Sequence, residues 1–217
     1  MVLSYPLANW GLLAAVMASL MAMIKRALLM NQRLMLAIVC GLAVACGAKA
    51  DDAQQYTAEA RGIAKQFFGA LKGELQGVMK QGGPVAAIDF CNVRAPQISS
   101  QVSYDVGWDV ARTSLKVRNP KNAPDVWETS VLERFEARKA AGEDLKSMEH
   151  AEIVESDGQK VFRYMKAIPT TELCLTCHGS EIPAEVATRL DQLYPKDAAR
   201  GFKEGDIRGA FTLSKNL

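Results

Sequence analysis

Ile153-Val154-Glu155-Ser156-Asp157-Gly158-Gln159-Lys160-Val161-Phe162-Arg163-Tyr164 is the stretch on which the fold class turns. Two strand-forming runs, Ile153-Val154 and Val161-Phe162-Arg163-Tyr164, flank Asp157-Gly158, a pair suited to a type I′ turn. The segment from Ala151 to Ile168 therefore reads as an antiparallel hairpin. That hairpin separates the chain from all-helical bundles, although most of the upstream sequence has helical periodicity.

Working upstream, Pro124 and Asp125 open a helix that runs to about Ala141, with Val126, Trp127, Val131, Leu132 and Phe135 apolar and Gly142 as its stop. Arg118 to Pro124 is a turn-rich connection. Gly107 to Val117 reads as a strand whose apolar parity switches, which suggests a bulge near Ala111-Arg112. Before it, two helices meet at Gly82-Gly83, with Pro84 in the first turn of the second. The first is amphipathic, with Ile63, Phe67, Phe68, Leu71, Leu75, Val78 and Met79 at helical spacing. The second carries Val85, Ile88, Cys91, Ala95, Ile98 and Val102 on one stripe, and Pro96 is placed to kink or break it. Downstream of the hairpin come a short helix capped by Thr170 or Thr171, a helix from Pro183 to Leu193, and a closing strand from Ile207 to Leu213. This order predicts an α+β fold, an antiparallel sheet with flanking helices preceded by an N-terminal amphipathic helix.

The chain has 217 residues, with 26 basic and 24 acidic ones. Lys25, Arg26, Arg33 and Lys49 are the charged residues of the first fifty, and setting them aside leaves 22 basic against 24 acidic groups, a balance of −2. No clustered basic footprint for nucleic acid is present. Residues 1–50 look like an export segment: Arg33 precedes an apolar run from Leu34 to Ala45, and Ala48-Lys49-Ala50 fits cleavage before Asp51. The upstream run from Leu7 to Ile24 is either untranslated, with Met23 or Met30 as the true start, or a membrane anchor. Ala43-Val44-Ala45-Cys46-Gly47 loosely resembles a lipobox. Residues 51–217 form the single domain that remains, and its expected place is the periplasm, free or tethered.

The short helix after the hairpin carries Cys174-Leu175-Thr176-Cys177-His178, and C-x-x-C-H reads as a c-type haem attachment site. Two thiols three positions apart suit the two vinyl groups of one porphyrin edge, and the following His can coordinate the iron. Zinc would want four convergent ligands, usually two spaced pairs, and no second pair exists. A redox C-x-x-C needs a βαβ context, which is missing. One covalent haem c per chain is the cofactor expected, with Cys174 and Cys177 as attachment points and His178 as a ligand to iron. The second ligand is open on residues alone. Cys91 lies on the buried stripe, where a free Cys is commonly an inert filler; His150, Met148, Met165 and water are the alternatives.

Further residues carry a resemblance. Ala87-Ile88-Asp89-Phe90-Cys91 with Ala95-Pro96, Arg112-Thr113-Ser114, Arg118-Asn119-Pro120 with Asn122-Ala123-Pro124 and Trp127-Glu128, Cys174-Leu175 with Cys177-His178-Gly179, and Gly205-Asp206 with Arg208-Gly209-Ala210 follow one another in order. Together they resemble a bacterial and cyanobacterial family of PAS-like c-type haem domains of unassigned physiological role. The resemblance implies a PAS-like sheet around one haem, and axial ligation by His178 and Cys91. Related domains stand at the front of membrane-bound signalling proteins; no kinase or cyclase module is present in this sequence.

A thiolate opposite an imidazole would favour ferric iron and a low potential. Arg112, Arg118 and Arg208 are candidate propionate partners, since Arg binds carboxylates in bidentate fashion, with surface salt bridges as their plainer reading. Three roles follow: a redox or gas sensor module acting through a protein partner, a periplasmic electron-transfer cytochrome, and a haem enzyme. The scarcity of His and a Cys-filled sixth position argue against the last. A small gas, a redox or signalling protein and a second copy of the chain are the partners to expect.

Overall fold

A computed structural model describes residues 10–156 and 158–217, and before Asp52 it describes only the side chains of Met17, Met21, Met23 and Lys25. Contacts divide the chain into two units, Met1–Asp52 and Ala53–Leu217. Among the described residues, no helix is long and apolar enough to cross a membrane. The side chains of Cys40, Cys46 and the cleavage motif lie outside what is described.

Helix α1 spans Trp10–Val106 and is interrupted at Gly83, whose φ of 71° and ψ of −170° are not helical. A left-handed φ costs glycine nothing, so the Gly82-Gly83-Pro84 break falls where the residues allow it. Ahead of the break, Ala60, Ile63, Ala64, Phe67 and Leu71 are buried. The two alanines let this face lie close to the sheet. Phe68 belongs to the margin rather than the buried stripe: it is exposed, beneath Lys72 and edge-on to Phe211. After the break, Ile88, Ala95, Ile98 and Val102 are buried on the expected stripe, with Cys91 partly buried among them. Pro96 does not end the helix, which continues to Val106. Burial of Ala95, Ile98 and Val102 against the sheet outweighs the one backbone hydrogen bond that a proline removes.

Four strands follow: β1 (Asp109–Thr113), β2 (Glu149–Ser156), β3 (Gln159–Pro169) and β4 (Ile207–Asn216). They form one antiparallel sheet in the order β1-β4-β3-β2. The hairpin stands as read. Ser156 pairs with Gln159 and Gly158 has a φ of 76°, while Asp157 lies outside the described residues.

β1 carries no bulge. It pairs with β4 in unbroken register and stops at Thr113, so exposed Leu115 lies beyond it, and Val110 and Thr113, of opposite parity, are buried on opposite faces of the sheet. The irregularity sits instead where Ile168 pairs with Gly209 and Pro169 with Ile207, leaving Arg208 as an extra residue in β4.

One face of the sheet, with Val110, Phe162, Tyr164, Phe211 and Leu213, packs against α1. The other, with Met165, Ala167 and Ala210, packs against α2 (Val126–Ala140) through Val131, Leu132 and Phe135. Asp125 caps α2 in a reciprocal box with Glu128. Val126, in its first turn, faces solvent rather than the core. Buried Glu128 also accepts from Thr212 Oγ1 at 2.7 Å, which ties α2 to β4. The result is an α+β, PAS-like antiparallel sheet with flanking helices.

Between β3 and β4 the chain leaves the sheet to form α3 (Glu172–His178) and α4 (Ala184–Leu193). Antiparallel pairing puts the end of β3, the start of β4 and the end of β1 at one end of the sheet. The Cys-containing helix leaves from that end.

Candidate haem-attachment site

On α3, Cys174 and Cys177 are one helical turn apart and share a face. Thr171, in extended conformation at the N-cap, holds its N–H and its hydroxyl 3.4 Å from Cys174 Sγ. The segment after α4 doubles back over the other end of α3. Gly201 N–H donates to Gly179 O and Phe202 N–H to His178 O, both at 2.9 Å. Phe202 then meets the His178 ring edge to face, with centroids 6.2 Å apart.

The His178 imidazole is held by a single bond, Nδ1 to Ala199 O at 2.8 Å. Burial, with repulsion from Arg208 and Arg118, pushes its pKa well below the usual histidine value, so the ring is neutral. A carbonyl only accepts, so Nδ1 carries the proton and Nε2 carries the lone pair. Among the described residues Nε2 has no hydrogen-bond partner. This is how a metal-binding histidine is oriented by its surroundings.

Arg118 supports the same corner. Its Nε donates to Asp197 Oδ1 at 3.0 Å, and Nη2 donates to Cys177 O at 2.6 Å and to Ala199 O at 3.1 Å. Asp197, with 1% of its side chain exposed, also accepts from Arg200 Nε and from Ala199 N–H, each at 2.9 Å.

Arg112 and Arg208 differ from Arg118. Neither has a carboxylate partner among the described residues; Arg208 Nη1 reaches Ser114 Oγ at 3.2 Å and its guanidinium lies 5.2 Å from the Phe202 ring centroid. Arg208 is the extra residue of the β4 bulge, which frees it from the inward–outward alternation of the strand. Burial and the neighbouring Arg118 and Arg112 push it down to about 10. Burial likewise lowers Arg112. Among the described residues, the guanidinium groups of Arg112, Arg118 and Arg208 are thus gathered, and Asp197, the carboxylate beside them, is already shared by Arg118 and Arg200.

Cys91 belongs to the same neighbourhood. Burial pushes its thiol up, and Arg112, Arg118 and Arg208 pull in the opposite direction. One turn earlier on the same helix, Ile88 is buried with Val186, Leu190 and Tyr194, and Cys177 packs against that cluster. Burial raises the Cys177 thiol too. Tyr194, pushed up to about 12 by burial and by nearby Cys91, closes the group.

The structure therefore brings together all seven residues singled out from sequence: Cys91, Arg112, Arg118, Cys174, Cys177, His178 and Arg208. The other candidate ligands lie elsewhere. Met148 and Met165 are in the core beneath α2, and His150, the β2 partner of Met165 at the edge of the same sheet face, sits with Trp127, Arg134 and Glu152. An open hollow of about 670 Å³ lined by Trp127, Arg134 and Glu152 belongs to that surface, away from the cysteines. Among the described residues no three His, Cys, Asp or Glu side chains converge as a metal cage. Tyr194, Asp197, Ala199 and Phe202 escaped the sequence reading. They lie in a loop without periodicity, and the group Ala199 contributes is a backbone carbonyl.

Comparison with known proteins agrees with this fold. No curated protein matches the chain. A crystal structure of the cyanobacterial haem-protein Tll0287 superposes with a TM-score of 0.57 at 20% identity, over 75% of this chain and 96% of that one. The model of the Tll0287-like family matches residues 32–215, a span that takes in α3, the strap over it and the Cys91 helix, and on that match the chain belongs to the Tll0287-like family.

Proposed function

We propose that this chain carries one haem c, joined through thioethers at Cys174 and Cys177 and ligated by His178 and Cys91, and that it acts as an exported redox or gas sensor module of low potential. The observation that carries the reading is His178. It is a neutral, half-buried imidazole with Nδ1–H fixed on Ala199 O and Nε2 unpartnered among the described residues, directly after two thiols on one helix face. Membership in a family whose namesake is described as a haem-protein supports it.

The donor set fits the group. Haem would supply an iron that changes oxidation state by one electron and takes small ligands at an open position. Arg112 and Arg208, half-buried cations without carboxylate partners among the described residues, suit its two propionates. Cys91 Sγ would be the second protein ligand, with the guanidinium groups of Arg112, Arg118 and Arg208 favouring its thiolate.

Sensing follows from the balance at Cys91. Burial pushes its free thiol up and the arginines pull it down, so a bound ferric iron would be what tips it to the anionic form. With haem bound and an electron supplied by a redox partner, a Cys91 sulfur that takes up a proton would bind iron less well, and a small gas could then take its place. An unchanged spectrum under CO in the reduced state would instead favour electron transfer. The export-like first fifty residues support a periplasmic location, and a redox or signalling protein is the partner expected.

Absorption and EPR spectra of wild type and Cys91→Ala test the ligand pair. Wild type should give a low-spin thiolate-ligated ferric signal that the variant lacks. Identical spectra would remove Cys91 from the site.

A further inference from the structure

Arg118 differs from its two neighbours in what it holds. Its Nη2 and the His178 Nδ1–H donate to the same acceptor, Ala199 O, at 3.1 and 2.8 Å. The same nitrogen reaches Cys177 O, the carbonyl just before His178, at 2.6 Å. Its Nε is anchored on Asp197, whose carboxylate also takes the Ala199 N–H and so holds, from the preceding peptide, the residue that bears the shared oxygen. Both partners are buried, with side-chain exposures of 10% and 1%.

A carbonyl that accepts from a cation is a poorer acceptor for a second donor. The more strongly a backbone oxygen draws on Nδ1–H, the more basic Nε2 becomes and the better it stabilises ferric iron. Competition by Arg118 for Ala199 O works the other way. Asp197 counters it, because a neutralised guanidinium competes less.

We infer that Arg118 and Asp197 form a positioning pair that sets the donor strength of His178 through their common grip on Ala199, rather than a propionate contact. This rests on the proposed haem ligation by His178, and it predicts effects of opposite sign. Arg118→Lys keeps the charge but cannot reach Asp197 and both carbonyls at once. Ala199 O is then left to His178, the Nδ1–H resonance moves downfield and the midpoint potential falls. Asp197→Asn keeps the shape, leaves the guanidinium without its counter-charge, moves that resonance upfield and raises the potential. A tenfold change in the ferric-to-ferrous balance corresponds to about 59 mV for one electron, and shifts of this order are expected.

The measurements are the midpoint potential of the haem-loaded full chain and ¹H–¹⁵N NMR of the histidine rings before haem attachment. The latter is uncluttered, since His150 is the only other histidine. Potentials shifting in the same direction for both variants, or an unmoved Nδ1–H resonance, would overturn the inference, because a merely loosened loop gives those results. If Arg118→Lys does not fold, the sign of the near-isosteric Asp197→Asn still decides. A wild-type chain that never acquires covalent haem would refute the proposed function, whereas the NMR arm would still decide the Arg118–Ala199–His178 relation.

Discussion

Gly209→Ala should be among the most damaging single-methyl changes in this domain. Gly209 has a φ of +155°, and a Cβ there would lie 2.3 Å from Thr113 O and 3.0 Å from Ser114 Cβ. The backbone conformation alone costs a non-glycine residue about 1–3 kcal/mol. The clash adds to it, because ordinary contact begins at 3.4 Å and the atom in the way is a strand carbonyl rather than a flexible tip. Relieving it means moving β1 away from β4, which breaks the bond from Ser114 Oγ to Arg208 O, 2.8 Å long and worth about 1 kcal/mol. The sum is about 2–4 kcal/mol, or roughly 6–12 °C in Tm at its middle value for a domain of this size. Thermal and urea unfolding by circular dichroism would measure it. Gly201→Ala is the control, with a φ of +74° but nothing within 4 Å, and an expected cost of about 1 kcal/mol. A Gly209→Ala protein within 1 kcal/mol of wild type, or a control that costs as much, would refute the argument.

Phe67, 1% exposed and edge-on to Phe211 at 5.5 Å, anchors α1 on the sheet, so Phe67→Ala should cost about 3–5 kcal/mol by denaturant unfolding. Glu128→Gln should cost about 1–3 kcal/mol, read the same way, because the buried carboxylate holds Thr212, Arg163 and the Asp125 N–H together. Acid should also weaken the strap behind His178. Burial pushes the Asp197 carboxyl up, but Arg118, Arg200 and the Ala199 N–H together outweigh it and hold it below the usual range. Its contribution is therefore complete above the unfolded-state value of about 3.9 and is lost as pH falls through the lower folded value. A plot of Tm against pH should be shallower below pH 4 in Asp197→Asn, and parallel curves would contradict this.

The hairpin was legible because Asp-Gly and the β-branched residues around it agree with one another, and the helix stripes because their apolar steps are regular. Phe68 and Val126 show that apolar type alone does not give burial: one sits at the margin of its stripe and the other in a solvent-facing first turn. A change of apolar parity does not by itself make a bulge: Val110 and Thr113 are buried on opposite faces of an unbroken β1, and the bulge at Arg208 depends on pairing between residues far apart in sequence. Cys174, Cys177 and His178 announce themselves by spacing. Cys91 could be placed on an inward face, but that this face meets α3 is a matter of topology. The Ala199 carbonyl leaves no mark in the sequence at all.

The most direct test is the intact mass of the full chain produced by a host that exports it and attaches haem c. The account predicts a gain of one haem that survives acidified-acetone extraction and disappears when Cys174 and Cys177 are both replaced by Ser. An unmodified mass with all colour extracted would contradict it.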